Sequence, residues 1–184
     1  MIRLFVALEL PFDVRERLLG VMGGVPGAKW QDDAQLHLTL RFIGEVEESK
    51  LADIHSALSA ISFEPFDMSI ESTGLFGTIK KPRFLWAGVT PEKPLKQLAK
   101  KIEAALVRCG LAPETRKFVP HITLARCKRD ATRITRFLER SADLSTASWS
   151  VDHFVLYRSH LGHGGAHYEP VAHYPEQHAL EDVE

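Results

Sequence analysis

One short phrase occurs twice in this chain, and it limits the folds that the chain can adopt. His37-Leu38-Thr39-Leu40 and His121-Ile122-Thr123-Leu124 stand 84 positions apart, one in each half of the 184 residues. Both copies alternate polar and apolar residues, which is typical of a half-buried β-strand. Alternate side chains of a strand share a face, so each copy should present one imidazole and one hydroxyl opposite its apolar residues. The repeat predicts a pseudo-symmetric molecule in which two matching strands face each other across a groove.

The rest of the chain alternates predicted strands with predicted helices. Apolar alternation predicts strands over residues 2–9, 36–43, 66–72, 83–89, 118–125, 149–157 and about 166–174, with Gly44 ending the second one. Helical spacing of apolar residues predicts helices over 12–22, 51–61, 91–109 and about 130–139. The connections suit antiparallel as well as parallel pairing. We therefore expect an α/β fold in the broad sense, with mixed or antiparallel sheets and no linker between separate domains.

Composition excludes several classes of protein. The net charge is −1, whereas a protein that coats long nucleic-acid duplexes is usually far more basic. A small or single-ended anionic substrate remains possible, because a few local cations suffice to bind it. No apolar run approaches the ~18 residues that would span a membrane, and two cysteines do not make a disulfide scaffold. We expect a cytoplasmic protein.

The residue types of the repeated phrase suit the hydrolysis of a phosphodiester. A base must take a proton from water, an acid must give one to the departing oxygen, and histidine can do either near neutral pH. The threonine hydroxyls can donate hydrogen bonds to the non-bridging phosphate oxygens. A nearby arginine could add a charge-assisted bond. This chemistry requires no metal ion.

The many histidines raise the alternative of a metal site. Six of them crowd the C-terminal third: His153, His160, His163, His167, His173 and His178. His163 and His167 have a spacing that a helix would use for ligands, but the segment reads as a glycine-rich loop. No pair of cysteines and no His-Glu-x-x-His element supports zinc. We therefore expect neither a functional metal site nor a cofactor.

The two phrases and their flanks resemble the 2H phosphoesterase superfamily, which is defined by two His-x-Thr-x motifs. More narrowly, the chain is similar to the bacterial and archaeal RNA 2′,3′-cyclic phosphodiesterases, also called 2′-5′ RNA ligases. The resemblance runs through most of the chain: Arg3-Leu4-Phe5-Val6-Ala7-Leu8, the first motif through Val46, Leu85-Trp86-Ala87-Gly88-Val89, Phe118 through Arg126, Phe154-Val155-Leu156-Tyr157-Arg158-Ser159 and the glycine-rich turn before Tyr168.

This resemblance implies a fold and an activity. The fold would be bilobal and pseudo-two-fold, with two antiparallel sheets flanking a central groove and helices outside, and residues 1–184 would form one domain of two intertwined lobes. The activity would be metal-independent and ATP-independent hydrolysis of an RNA 2′,3′-cyclic phosphate to a 2′-phosphate. Reversible 2′-5′ joining of RNA ends is the other activity of the family.

The resemblance also implies roles for single residues. His37 would be the general acid that protonates the leaving 3′ oxygen, and His121 the general base that activates water. Thr39, Thr123 and Arg126 would bind the phosphate. Simple alternation places Arg126 on the opposite face from His121, so a bulge or a strand end must turn it.

Aromatic side chains could complete the groove. Phe5 matches a groove position of the family and could stack on a base, although packing alone would also explain it. Phe42, Phe76 and Tyr168 are further candidates for the groove. Arg41 either reaches the groove or is a surface charge. Trp30 and Trp86 are expected in the core.

Two other hypotheses stay open. The same site could act on a small cyclic nucleotide, a cyclic phosphate of ADP-ribose or a 2′-5′-linked oligonucleotide. Alternatively, the chain could be a non-catalytic module that binds RNA ends through its histidines. We expect no membrane and no protein partner, and we expect a monomer.

Overall fold

Strands and helices alternate along the chain, as the apolar periodicity predicts. The computed structural model describes residues 1–176. Its strands are β1 (Ile2–Leu8), β2 (Ala28–Trp30), β3 (Leu38–Val46), β4 (Phe66–Gly77), β5 (Pro82–Thr90), β6 (Ile122–Cys127), β7 (Trp149–Val151), β8 (Phe154–Gly162) and β9 (Gly165–Tyr174). Its helices are α1 (Phe12–Leu19), α2 (Leu51–Ser59), α3 (Glu92–Arg108) and α4 (Ile134–Arg140).

The strands pair along one hydrogen-bonded path in the order β7-β4-β5-β6-β3-β1-β8-β9, with β2 beside β6. All the pairings along this path are antiparallel. The path has two halves that meet where β3 lies beside β6, so the two predicted sheets are two antiparallel halves of one curled sheet. This arrangement confirms the predicted α/β fold with antiparallel strands.

The two halves draw on interleaved parts of the chain. β1, β3, β8 and β9 come from both ends of the described chain, whereas β4 to β7 come from its middle. The motif strands β3 and β6 are the innermost strands of the two halves, so the topology delivers one motif from each side of the junction.

One face of the strands is buried under the helices. The longest helix, α3, packs against α2 and β3, and it buries an apolar stripe: Leu95, Leu98, Ala99, Ile102, Ala105 and Leu106. The spacing of three and four residues is that of one helix face. The buried cluster includes the alternate residues of the motif strands, namely Leu38, Leu40, Ile122 and Leu124. The opposite face of those strands is thereby left to the motif histidines and threonines.

Several boundaries differ from the sequence prediction: the first two helices end two to three residues early, the strand predicted over 149–157 is divided into β7 and β8, and three strands differ at a glycine or a proline. β3 continues through Gly44 to Val46, because Gly44 adopts a φ of 87° inside a bulge opposite β1 and does not end the strand. β4 likewise runs through Gly74 to Gly77, where a loop was predicted. β6 begins at Ile122, four residues later than predicted, and Pro120 has no N–H to offer to a ladder.

Candidate active site

The two motifs meet at the junction between β3 and β6. Leu38 is the Cα partner of Ile122 in this antiparallel contact, and both side chains are fully buried. Their neighbours along each strand therefore point to the other face of the sheet. His37 and Thr39 flank Leu38 on that face, and the second motif flanks Ile122 in the same way. The junction gathers two imidazoles and two hydroxyls from positions 84 residues apart.

His37 is held in one tautomer by its own backbone. Its Nδ1 lies 2.7 Å from the carbonyl oxygen of Gln35. A carbonyl can only accept, so Nδ1 carries the hydrogen and Nε2 is left as the free nitrogen of the neutral ring. Nε2 lies 2.9 Å from Oγ1 of Thr39, whose hydroxyl donates to it. The first motif is thus a hydrogen-bonded histidine–threonine pair with its reactive nitrogen on the hydroxyl side.

His121 repeats this arrangement. Its Nδ1 lies 2.6 Å from the carbonyl oxygen of Val119, which again stands two residues earlier in the chain. Nδ1 donates this bond, and Nε2 is again the free nitrogen. The two motif histidines therefore share one backbone-fixed tautomer, which suits each of them for accepting or donating a proton at Nε2.

Burial lowers the pKa of both imidazole rings. Desolvation lowers the pKa of His37 to about 4, against a raising effect of its bond to Gln35, and the charge of His121 lowers it further. Desolvation also lowers the pKa of His121, opposed by the bond to Val119. Both rings are consequently neutral at pH 7 in the free protein.

A bulge brings Arg126 back to the face of the motif. Leu85 pairs with Ala125 and Trp86 pairs with Thr123, so the register skips Leu124. Leu124 and Ala125 both join the buried cluster, and alternation resumes after them with an exposed Arg126. Of the two predicted alternatives, a bulge and a strand end, the bulge is present, and it returns Arg126 to the side of Thr123.

Aromatic rings stand edge-on to both histidines. Tyr168 meets the ring of His37 at 5.2 Å between centroids and 88°, and Phe76 meets His121 at 4.8 Å and 88°. Both aromatic residues are half-buried. Both rings therefore lie beside the motif histidines, and their role in lining a groove for the substrate stays a prediction.

The other two predicted aromatic residues behave differently. Phe5 lies 5.0 Å from the ring of His37, but it is only 4% exposed because Tyr157 and Tyr168 cover it. So little free ring surface favours packing, the alternative explanation, over stacking on a base. Phe42 lies farther along β3, 37% exposed, with the guanidinium of Arg3 5.0 Å from its ring centroid.

Two predictions about neighbouring residues are resolved. Arg41 neither reaches the groove nor is a surface charge: it is 9% exposed and bonds to Glu103 of α3 and to the carbonyl of Ala112. The bulge in β3 turns it toward the helices. Trp30 packs against the core as expected. Trp86 does not join the core cluster; it lies on the groove face beneath Phe76, 5.5 Å between centroids.

Sequence reasoning missed two residues that position the first motif. Gln35 supplies the carbonyl for His37, and its side-chain amide donates to the carbonyl of Ala166 in the β8–β9 hairpin at 2.9 Å. It thereby ties the hairpin that carries Tyr168 to the motif. Tyr157 stacks on Phe5 at 5.2 Å and 15°. Only the position of Gln35, two residues before a motif histidine, could have signalled its role.

A sequence model of the 2′-5′ RNA ligase superfamily matches residues 21–163. The chain belongs to this superfamily. The matched stretch contains both motifs and the junction between them.

Several relatives resemble this chain over nearly their whole length. One is named an RNA 2′,3′-cyclic phosphodiesterase, from Archaeoglobus fulgidus, and is 35% identical over 170 residues, covering 91% of this chain and 96% of the relative. Among solved structures, TT0787 of Thermus thermophilus matches with a TM-score of 0.78 and 31% identity, covering 93% and 96% of the two chains. Escherichia coli LigT in complex with 3′-AMP matches with a TM-score of 0.76 and 27% identity, covering 94% and 97%.

Proposed function

We propose that this chain hydrolyses RNA 2′,3′-cyclic phosphate ends to 2′-phosphates, using His37 and His121 as general acid and base. The observation that carries the proposal is the matched tautomer of the two histidines, each with Nδ1 donating to a backbone carbonyl and Nε2 left without a hydrogen. The superfamily and the name of the Archaeoglobus fulgidus relative support the substrate class.

The proposed step needs one proton at each ring. Nε2 of His121 takes a proton from water, and the water oxygen attacks phosphorus. The bond from phosphorus to the 3′ oxygen breaks, and Nε2 of protonated His37 gives its proton to that oxygen. The product carries a 2′-phosphate and a 3′-hydroxyl, and exchange with solvent resets both rings. A 5′-hydroxyl in place of the water would join two RNA ends through a 2′-5′ bond.

The anionic substrate has to change the protonation of His37. Its pKa of about 4 in the free protein leaves the ring neutral at pH 7. A phosphate beside the ring favours the charged imidazolium and raises this pKa. The acid therefore forms as the substrate binds. Thr39, Thr123 and Arg126 would hold the non-bridging oxygens, where charge must be stabilised. The step uses no metal ion and no cofactor.

The reaction is tested with a short RNA that ends in a 2′,3′-cyclic phosphate, incubated with the protein and EDTA and followed by phosphorus NMR. We expect a 2′-phosphate at a rate that the chelator does not change. A 3′-phosphate would show that the other oxygen leaves, which contradicts the proposed placement of the acid. Loss of turnover in EDTA, restored by a divalent ion, would contradict the metal-free step.

A smaller substrate is the second candidate, because a net charge of −1 gives the chain little general attraction for a long anion. A substitution of Arg3 distinguishes the two candidate substrates. Arg3 lies over Phe42 on the groove face, beyond the first motif. For an RNA end of several nucleotides, Arg3→Ala should lower kcat/KM about tenfold, since a charge-assisted contact to phosphate is lost. An equal effect on a cyclic mononucleotide would remove the evidence for a longer RNA path.

A binding module without catalysis predicts a different outcome. In that case, replacing either motif histidine would weaken RNA binding, and the wild-type chain would show no turnover.

We further propose that the chain acts in the cytoplasm as a monomer without a protein partner. No helix in residues 1–176 has both the length and the apolar character needed to cross a membrane.

A further inference from the structure

Three side chains from distant parts of the sequence converge at one end of the β1-β8-β9 strands. Glu9 directly follows β1, His153 directly precedes β8, and His173 is the penultimate residue of β9. One donor atom of each lies within 4.8 Å of the donor atoms of the other two. Antiparallel pairing of the three strands produces this convergence, since Val155 pairs with both Ala7 and His173.

The spacing of the donor atoms suits a small transition-metal ion. Nε2 of His153 lies 2.9 Å from Oε2 of Glu9, and Nε2 of His173 lies 3.6 Å from Oε1. Four ligands at about 2.1 Å around a tetrahedral zinc ion stand roughly 3.4 Å from each other. The observed distances bracket that value, so small side-chain rotations would close the site around an ion.

A second carboxylate orients one of these histidines. Oδ1 of Asp152 accepts a hydrogen bond from Nδ1 of His153 at 2.7 Å. Metal-binding histidines characteristically donate their other ring N–H to a carboxylate, which fixes the tautomer and leaves the opposite nitrogen free for the metal. Asp152 and His153 have this relation, with Nε2 of His153 directed at Glu9.

We propose that Glu9, His153 and His173 form a binding site for one Zn²⁺ ion or a similar first-row divalent ion. Two imidazole nitrogens and one carboxylate oxygen favour such an ion over Mg²⁺ or Ca²⁺, which take oxygen ligands. Glu9 is exposed and the histidines are half-buried, so water can complete the coordination from the solvent side. The ion would cross-link segments at residues 9, 153 and 173, and it takes no part in the proposed hydrolysis at His37 and His121.

The competing interpretation is that Glu9 only accepts hydrogen bonds from His153 and from the hydroxyl of Tyr157 and forms an ion pair with His173. Calorimetric titration of ZnCl₂ into the full chain, first stripped with a chelator and dialysed, separates the two. We expect one ion per chain and a rise of Tm that grows with free Zn²⁺, since an ion that binds the folded state stabilises it. Asp152→Asn should weaken the affinity about 10- to 100-fold. The absence of binding to the wild-type chain would overturn the proposal.

Variants locate the site. His153→Gln combined with His173→Gln should abolish binding. The matched control combines His160→Gln with His167→Gln, a second pair of histidines on β8 and β9 whose rings lie 6.1 Å apart, and it should bind Zn²⁺ as the wild type does. Binding that survives the first pair of substitutions, or that is lost with the control pair, would overturn the proposal.

Cobalt gives a readout that needs no variant. Co²⁺ bound by two imidazoles and a carboxylate should show visible absorption without the near-ultraviolet charge-transfer band of a thiolate ligand. A thiolate band would assign the ion to Cys109 or Cys127 and contradict the site. Hydrolysis of the cyclic phosphate by the stripped chain is measured in parallel, so the outcome for the metal site and the outcome for the proposed reaction remain separate.

Discussion

Phe42 and Arg126 occupy corresponding places in the two halves of the sheet. Each follows its motif histidine by five positions, and each comes directly after a bulge that sends two successive residues of its strand toward the buried side. In β3 the position is an aromatic ring beside Arg3, whereas in β6 it is a cation. The pseudo-symmetry of the motifs therefore ends here: the second strand places a cation directly after its bulge, whereas in the first half the cation is Arg3 of the neighbouring strand.

Arg126→Ala should lower kcat/KM for a 2′,3′-cyclic phosphate by about 10- to 100-fold, because a charge-assisted hydrogen bond contributes roughly 1.5–3 kcal/mol. Arg126→Lys should recover part of this loss, since it keeps the charge without the bidentate geometry. Tm should hardly change, because the side chain is exposed. Steady-state kinetics check the prediction against Arg129→Ala, an exposed arginine in the following loop. Equal effects of the two alanine variants would mean that only general charge matters.

His37→Ala and His121→Ala should each slow turnover by roughly 10²- to 10⁴-fold, the range expected when a general acid or base is removed. The exposed His163, in the turn between β8 and β9, provides a control whose alanine variant should keep full activity. Single-turnover rates with a cyclic-phosphate RNA measure the effect. A motif variant that retains nearly full activity would remove that histidine from the mechanism.

The half-buried, neutral His37 should make the fold sensitive to acid. Its pKa is about 4 in the folded chain and near 6.5 when unfolded. Between pH 6.5 and about pH 4, His37 is protonated in the unfolded chain but stays neutral in the folded chain. The free energy of unfolding therefore falls as the pH is lowered through this range. The loss attributable to this ring is at most about 3 kcal/mol. Urea unfolding at a series of pH values from about 7.5 down to about 4.5 measures it.

The variant that isolates this effect is His37→Asn, because an asparagine amide can still donate to the carbonyl of Gln35. Its unfolding free energy should depend less steeply on pH than that of the wild type between about pH 6.5 and 4. Parallel curves for the two proteins would mean that His37 titrates normally in the folded chain.

Local pattern predicted much of the site. Period-two alternation in both motifs was enough to assign the histidines and threonines to one face and the leucines to the core, and the structure has them so. The need for a bulge or a strand end before Arg126 follows from the same alternation, since an unbroken strand would turn the arginine away.

Contacts between distant segments could not be predicted in this way. Nothing near Gln35 in the sequence indicates that its amide bonds to Ala166, which lies 131 positions later. Neither expectation for Arg41, a groove position or a surface charge, agrees with the structure, because alternation counted from Thr39 ignores the bulge in β3 and the partner Glu103 lies on a helix 62 positions away. Such pairs depend on the topology of the whole sheet, which short-range periodicity does not contain.

Gly74 should be essential for the packing of Trp86 and Phe76 beside His121. A Cβ at this position would stand 2.1 Å from Cζ2 of Trp86, its partner across the β4–β5 pair. In Gly74→Ala the indole of Trp86 must move. Because Phe76 packs against this indole, the ring of Phe76 must shift with it, and that ring packs edge-on against His121. We expect a loss of about 1–3 kcal/mol in unfolding free energy, typical of overpacking, together with a lower kcat/KM. Gly164→Ala, whose Cβ would meet nothing within 4 Å, is the control for urea unfolding and kinetics. Wild-type stability with reduced activity would mean that the strands accommodate the methyl group and only Trp86 and Phe76 are displaced. No change in stability or activity would show that Trp86 has room to turn.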